Sequence, residues 1–346
     1  MKLLFSLLSA VLCISNITAQ QKLIAIKGAA TDAIATTLND AIAIAQPGDK
    51  IYLPGGNFEY TGSLEKPVHI IGIGFQNGLH VDGNTIINGD FILNSEGSNS
   101  IFEGFYLSGY FRCGTQVTAN NIVIKKCNFN GIAGSGNFDF SWTNCQITNC
   151  VARENLRFNF SPYWAGGYLN NSVISNSFIY TVFGLQNSII KNCIVGSNFS
   201  INSCINLTLK NCIFSYYSGS GVGGTVTTSS ANLTFNNNVF YSGNSSTLGD
   251  GVLSNLSPLY YNSSATEVFV NAADFTFNPT FDFQLLPTFE GNNSGDDGTD
   301  IGIYGGQYPW KNGSLPISPN IEQNSSFLDV QNEQFKLRVK VVPQTN

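Results

Sequence analysis

Charge is what this sequence has least of. Charged residues make up 11% of 346, with 16 Lys and Arg against 22 Asp and Glu, for a formal charge of −6. Cations so few and so scattered build no basic stripe, so nucleic acid is not an expected partner. Only two histidines occur, His69 and His80, and no close cysteine pair has finger spacing, so a zinc site is not expected either. Beyond the N terminus no stretch is long and apolar enough to cross a membrane. The shortage is sharpest in the middle. Between Phe140 and Gly249 the charged residues are Arg153, Glu154, Arg157, Lys191 and Lys210. One acid cannot form a carboxylate pair, so two-carboxylate hydrolysis is excluded there. Asn, Ser, Thr and Gly carry the polarity instead, and neutral side chains stack at strand spacing without repulsion.

The N terminus reads MKLLFSLLSAVLCISNITA. Lys2 followed by an apolar stretch to Cys13 and a small residue at Ala19 is the pattern of a secretory signal peptide over residues 1–19. Leu12 is too large for a lipobox, which argues against lipidation of Cys13. Export to the periplasm, the cell surface or the medium is the expected destination. The chain beyond it reads as one elongated domain over residues 20–309, with a C-terminal tail or edge strand over 310–346. Seven cysteines remain after the leader, so at least one has no intramolecular partner.

What is abundant is an eight-residue repeat. Copies are TIINGDFI (Thr85 to Ile92), SIFEGFYL (Ser100 to Leu107), IVIKKCNF (Ile122 to Phe129), FSWTNCQI (Phe140 to Ile147), SVISNSFI (Ser172 to Ile179), SIIKNCIV (Ser188 to Val195), LTLKNCIF (Leu207 to Phe214) and LTFNNNVF (Leu233 to Phe240). A degenerate copy, VHIIGIGF (Val68 to Phe75), precedes them. Third and eighth positions are apolar throughout the eight full copies; the fifth is mostly Asn or Gly. Strand side chains alternate, so the step from third to sixth position breaks parity and demands a corner at the fourth and fifth. Asn and Gly enter the left-handed region at least cost and suit that corner. Short strands joined by recurring tight corners describe an all-β fold, a parallel β-helix whose nine coils at about 4.8 Å spacing make a rod of roughly 40 Å. Ile124, Trp142, Ile174, Ile190 and Leu209 are expected in one inward column. Asn176, Asn192 and Asn211 are expected as a hydrogen-bonded ladder. Cys127, Cys145, Cys193 and Cys212 fall at the sixth position and read as small buried residues, with disulfides between coils left open in an oxidising compartment.

These coils, together with the opening segment TTLNDAIAIAQPGDKIYLPGGNF (Thr36 to Phe58) and the closing segment GDDGTDIGIYGGQYPWKNGSLP (Gly295 to Pro316), resemble secreted bacterial right-handed parallel β-helix proteins of the pectin-lyase-like superfamily. The resemblance implies a short N-terminal helix capping the first coil, near Leu38 to Ala45. It also implies an acidic polysaccharide as the class of ligand. Lyases of that family use an Arg or Lys base, usually with calcium; its hydrolases use paired acids. The hydrolase motifs Asn-Thr-Asp, Asp-Asp, Gly-His-Gly and Arg-Ile-Lys are missing from the coils.

One excursion, TNCVARENLRFNFSPYWAGGYLN (Thr148 to Asn170), gathers Arg153, Glu154, Arg157, Tyr163 and Trp164. Rings stack on sugar faces and guanidinium forks hold carboxylates. Tyr216 and Tyr217 stand in a second excursion a few coils on. Arg153 and Arg157 are candidate bases; Glu154, Tyr163, Trp164, Tyr216 and Tyr217 are candidate sugar contacts. An equally simple account has Arg and Glu paired locally and the rings covering a coil edge. No cofactor is expected, though Asp296, Asp297 and Asp300 in GDDGTD have the oxygen chemistry of a calcium loop as well as that of a plain turn. The expected function is binding of a polysaccharide or cell-surface glycan without turnover. Its alternatives are a divergent lyase acting on acidic glycans and a structural or adhesive rod.

Overall fold

The computed structural model describes residues 22–76, 83–114, 118–134, 141–157, 168–196, 201–215, 225–241, 248–261, 264–311, 320–324, 327–329, 334–336 and 339–342. Residues 1–19, expected from the sequence to be a signal peptide, lie outside them. No helix among the described residues is long and apolar enough to cross a membrane.

The chain winds into a parallel β-helix with one short α-helix at its start, as the repeat predicts. Its hand is the right-handed one of strand–crossover–strand connections. A first face runs from Lys50–Tyr52 through His69–Ile71, Ile101–Glu103, Val123–Lys125, Gln146–Thr148, Val173–Ser175, Leu185–Lys191, Ile205–Lys210 and Ala231–Asn236 to Val252–Leu256. A second face runs from Gly56–Glu59 through Thr85–Asn88, Tyr106–Leu107, Asn128–Phe129, Val151–Arg157, Phe178–Phe183, Ile194–Val195, Ile213–Phe214 and Val239–Tyr241 to Leu259–Tyr261. A third, shorter face carries Phe91–Leu93, Tyr110–Cys113 and Gly131–Gly134 and continues into the far halves of Val151–Arg157 and Phe178–Phe183.

Helix Leu38–Ile44 plugs the first coil. Thr37 caps it by accepting the Asp40 N–H at 3.1 Å, and Leu38, Ala41 and Ile42 are its buried stripe. Lys66 Nζ donates to Ala45 O at 2.6 Å and Ala43 O at 3.1 Å, placing a cation on the carbonyls of the helix C-terminus.

The inward column is Ile51, Ile70, Phe102, Ile124, Ile147, Ile174, Ile190, Leu209 and Phe235, all buried. Trp142 is buried but stands in a neighbouring column with Ala119, Leu169 and Leu185. The repeat at this coil is therefore CQITNCVA (Cys145 to Ala152), five residues after the copy chosen by sequence. Each coil turns at two left-handed corners five residues apart, and both carry Asn here: Asn144 at φ 57 and Asn149 at φ 54. TIINGDFI is corrected likewise. Thr85–Asn88 pairs with Tyr106–Leu107, so it completes the coil opened by VHIIG rather than starting one. Gly72 in that coil serves close approach, because a Cβ there would meet the Gly104 carbonyl oxygen at 2.4 Å.

Asn176, Asn192 and Asn211 hold φ of 48, 52 and 53, as expected of corner residues. Their amides do not form a ladder. The ladder stands at the other corner: Asn121 donates to Asn99, Asn206 to Asn187 and Asn232 to Asn206, each at 2.9 Å. The fifth-position amides instead hold a C-terminal strap. Asn149 donates to Tyr308 O, Asn176 to Ile303 O and Gly305 O, Asn211 to Asp296 Oδ1 and Asn237 to Ser294 O, at 2.7 to 3.1 Å. The strap's Val268, Phe269, Phe283, Leu285, Ile301, Ile303 and Trp310 cover the outward column Val151, Phe178, Ile194, Ile213 and Val239. A second hydrophobic core thus lies outside the solenoid and extends through Trp310. Beyond it, Asn320–Asn324 pairs with Val339–Val342, and Phe327–Asp329 with Gln334–Lys336, both antiparallel.

The seven cysteines from Cys113 to Cys212 are free and buried. Several are more than small hydrophobes. Cys127, Cys150, Cys193 and Cys212 each donate from Sγ to the carbonyl two residues back, at 3.2 to 3.3 Å, closing the corner from inside. Ser177 does the same at 2.7 Å.

Candidate functional site

Where the strap begins to cover the second face it leaves a groove of about 710 Å³. Its floor is the outward column Ile86, Tyr106, Asn128, Val151 and Phe178, and Phe275, Thr276, Phe277, Pro279 and Thr280 of the strap form one wall. Tyr180, 46% exposed, Arg153, Gln76 and Asn84 complete the lining. The lining is mainly apolar and ring-rich, with polar groups at a few points, as in most ligand sites.

Arg153 is half-buried in that lining. Its guanidinium lies 4.2 Å from the centre of the Tyr106 ring. Nη1 donates to Asn128 Oδ1; Nη2 donates to Leu107 O at 2.9 Å and Asn130 Oδ1 at 2.5 Å; Nε donates to Asn130 Oδ1 at 3.1 Å. Asn130 is fixed in turn by donating to Ser108 O at 2.9 Å. No carboxylate among the described residues forms an ion pair with Arg153. Burial draws its pKa below the ordinary arginine value, opposed by nearby Tyr106, Glu154 and Tyr110.

Glu154 is exposed and turned to the third face, where it accepts the Tyr110 hydroxyl proton. That hydrogen bond, first among several causes, raises the Tyr110 pKa. Arg112 lies 4.8 Å from the Tyr110 ring centre and pairs with Asp90 at 2.6 Å. Asp90 also accepts the Tyr110 N–H at 2.7 Å. Arg157 is placed by its strand on the third face, in register with Ala133, which pairs in turn with Arg112. Its side chain lies outside the described residues, as do Tyr163, Trp164, Tyr216 and Tyr217.

The aspartates of the closing segment go to separate partners. Asp296 pairs with Lys210 at 2.8 Å and accepts from Asn211 at 2.7 Å, and these donors lower its pKa although burial opposes them. Asp297 accepts from Thr299 N and Oγ1, and Asp300 accepts the Asn293 N–H. Among the described residues no group of three acidic, His or Cys side chains has metal-binding proximity. All three aspartates serve turns and strap docking here.

Tyr106, Tyr110, Arg112, Asn128, Asn130 and Tyr180 were not singled out from sequence. Tyr106 and Asn128 occupy the seventh position of the repeat, outward on the second face. That position was open to inspection, but only the fold reveals that the strap leaves part of it uncovered.

No family model matches the chain, and no curated protein matches it. Among solved structures it is similar to an alginate lyase from Paenibacillus sp. (14% identity, TM-score 0.29, over 65% of this chain and 95% of that one). It is also similar to a pectin methylesterase from Aspergillus niger (14%, 0.27, 65% and 80%). A pectate lyase is a third (12%, 0.29, 78% and 91%).

Proposed function

We propose that the chain binds an acidic polysaccharide or surface glycan along this groove without turning it over. One observation carries the reading: a half-buried guanidinium with no carboxylate ion-pair partner among the described residues stands beside tyrosine rings in an open groove. An uncompensated cation in such a wall favours an anionic ligand, and exposed rings suit sugar faces. Among the described residues no two carboxylates are gathered at the groove.

A second reading, elimination with an arginine as base, is favoured by the contact of Arg153 with the groove. Its donors weigh against it. A base must offer a lone pair, whereas Arg153 directs N–H bonds at three oxygens and stays charged. Affinity electrophoresis of the full chain against a panel of uronate and neutral polysaccharides tests both. Retardation by a uronate polymer, with no unsaturated product on long incubation, is expected. Release of unsaturated product would replace binding by catalysis. No retardation in any gel would leave the rod reading in its place.

A further inference from the structure

Resting on that groove, we infer that Asn128 is the residue that donates to the ligand, and that Arg153 acts through it as a positioning residue. Asn128 is 7% exposed and stands on the floor of the groove between Tyr106 and Val151 in register. Its backbone N–H is taken up by Phe105 O at 3.0 Å. A guanidinium only donates, so the atom that Arg153 Nη1 faces must be the Asn128 oxygen. The orientation of the amide is therefore chemically determined: oxygen to Arg153, nitrogen away from it. That nitrogen makes no hydrogen bond to a described residue, and the residue, 7% exposed, lines the groove. Arg153 is itself clamped, from below by Tyr106 and laterally by Asn130 and Leu107 O.

Such a donor is completed when a ligand in the groove supplies an acceptor for its protons. A sugar carboxylate or hydroxyl oxygen does so, and the Arg153 charge, one amide away, polarises the donor toward a negative acceptor. The guanidinium thus favours an anion through Asn128 rather than by gripping it in a fork. It would stay hydrogen-bonded to the protein in the bound state.

Two variants test this, with binding to a uronate polymer and to its carboxyl-reduced counterpart as the readout. Asn128→Asp keeps the shape, places an acceptor where the donor was, and gives Arg153 a carboxylate. It should lose about tenfold or more in uronate affinity and abolish the preference over the reduced polymer, with thermal stability retained or raised. Arg153→Lys keeps the charge but not the fork that holds both asparagines. It should lose the preference too, whereas a purely electrostatic role for Arg153 requires the lysine to preserve it. Wild-type selectivity surviving in Asn128→Asp, or in Arg153→Lys, overturns the inference while the groove stands. If Asn128→Asp does not fold, Arg153→Lys decides alone. Should the wild type itself not distinguish the two polymers, acidic-ligand binding falls, and with it the inference.

Discussion

Asn192 turns its corner at φ 52, is buried, and has strap glycines against it: a Cβ on Gly306 would come within 3.0 Å of its Oδ1. Glycine reaches the same backbone without penalty, while a β-branched residue meets it with a clash. Asn192→Gly should be mild, and Asn192→Val should cost about 1–2 kcal/mol in urea unfolding, from the left-handed backbone alone. Equal stability of the two would mean that the left-handed corner is not what asparagine supplies. Lys126 turns the same corner three coils earlier, at φ 54, and burial pushes its pKa down to about 8 from 10.5. Between those values the unfolded chain holds a proton that the folded chain has released. Stability therefore rises with pH across that window, and the penalty is fully present below it. Unfolding followed from pH 7 to pH 10.5 should show wild type gaining on Lys126→Asn, with parallel curves contradicting a lysine whose charge is penalised by partial burial. The corner residues were legible in the chain because glycine and asparagine answer a backbone demand. The amides' partners were not, because they lie more than a hundred residues away in the strap for Asn149 and Asn176.

At the scale of elements, the coil at Trp142 shows where reading by pattern stops. FSWTNCQI and CQITNCVA both present an apolar residue two before Asn and another three after it. Only pairing distinguishes them: Ile147 lies opposite Ile124 and Ile174, whereas Trp142 lies opposite Ala119 and Leu169. Inwardness was correctly read for both residues, and register was not, because a five-residue offset carries one left-handed corner onto the other. The strap was invisible for a different reason. Its residues follow no repeat, and its apolar groups answer the seventh-position column of the coils. Its attachment is testable. Asn176→Gly keeps the corner but leaves the Ile303 and Gly305 carbonyls without their donor, and should cost about 1–3 kcal/mol and speed protease cleavage within residues 290–310. Asn206→Gly on the exposed ladder should cost within about 0.5 kcal/mol, as for a surface change, and leave the cleavage rate as in wild type. Identical behaviour of the two variants would contradict the division of labour between corners.

For the whole molecule, scarcity of charge becomes informative once the coils are stacked. Few cations occur in the central coils, yet Arg153 stands in the wall of a groove with no acidic partner among the described residues, while Glu154 beside it in sequence faces away to Tyr110. The strand breaks register between Ala152 and Asn155, so Arg153 and Glu154 stand on different faces of the rod. Hydrogen–deuterium exchange of the full chain, with and without a uronate polymer, tests the account most directly. Binding in the groove predicts slower exchange in peptides covering Tyr106–Leu107, Asn128–Phe129, residues 151–153 and residues 275–280, with the exposed ladder at Asn187, Asn206 and Asn232 unchanged. Protection confined to that ladder, or no protection at saturating polymer, would contradict it.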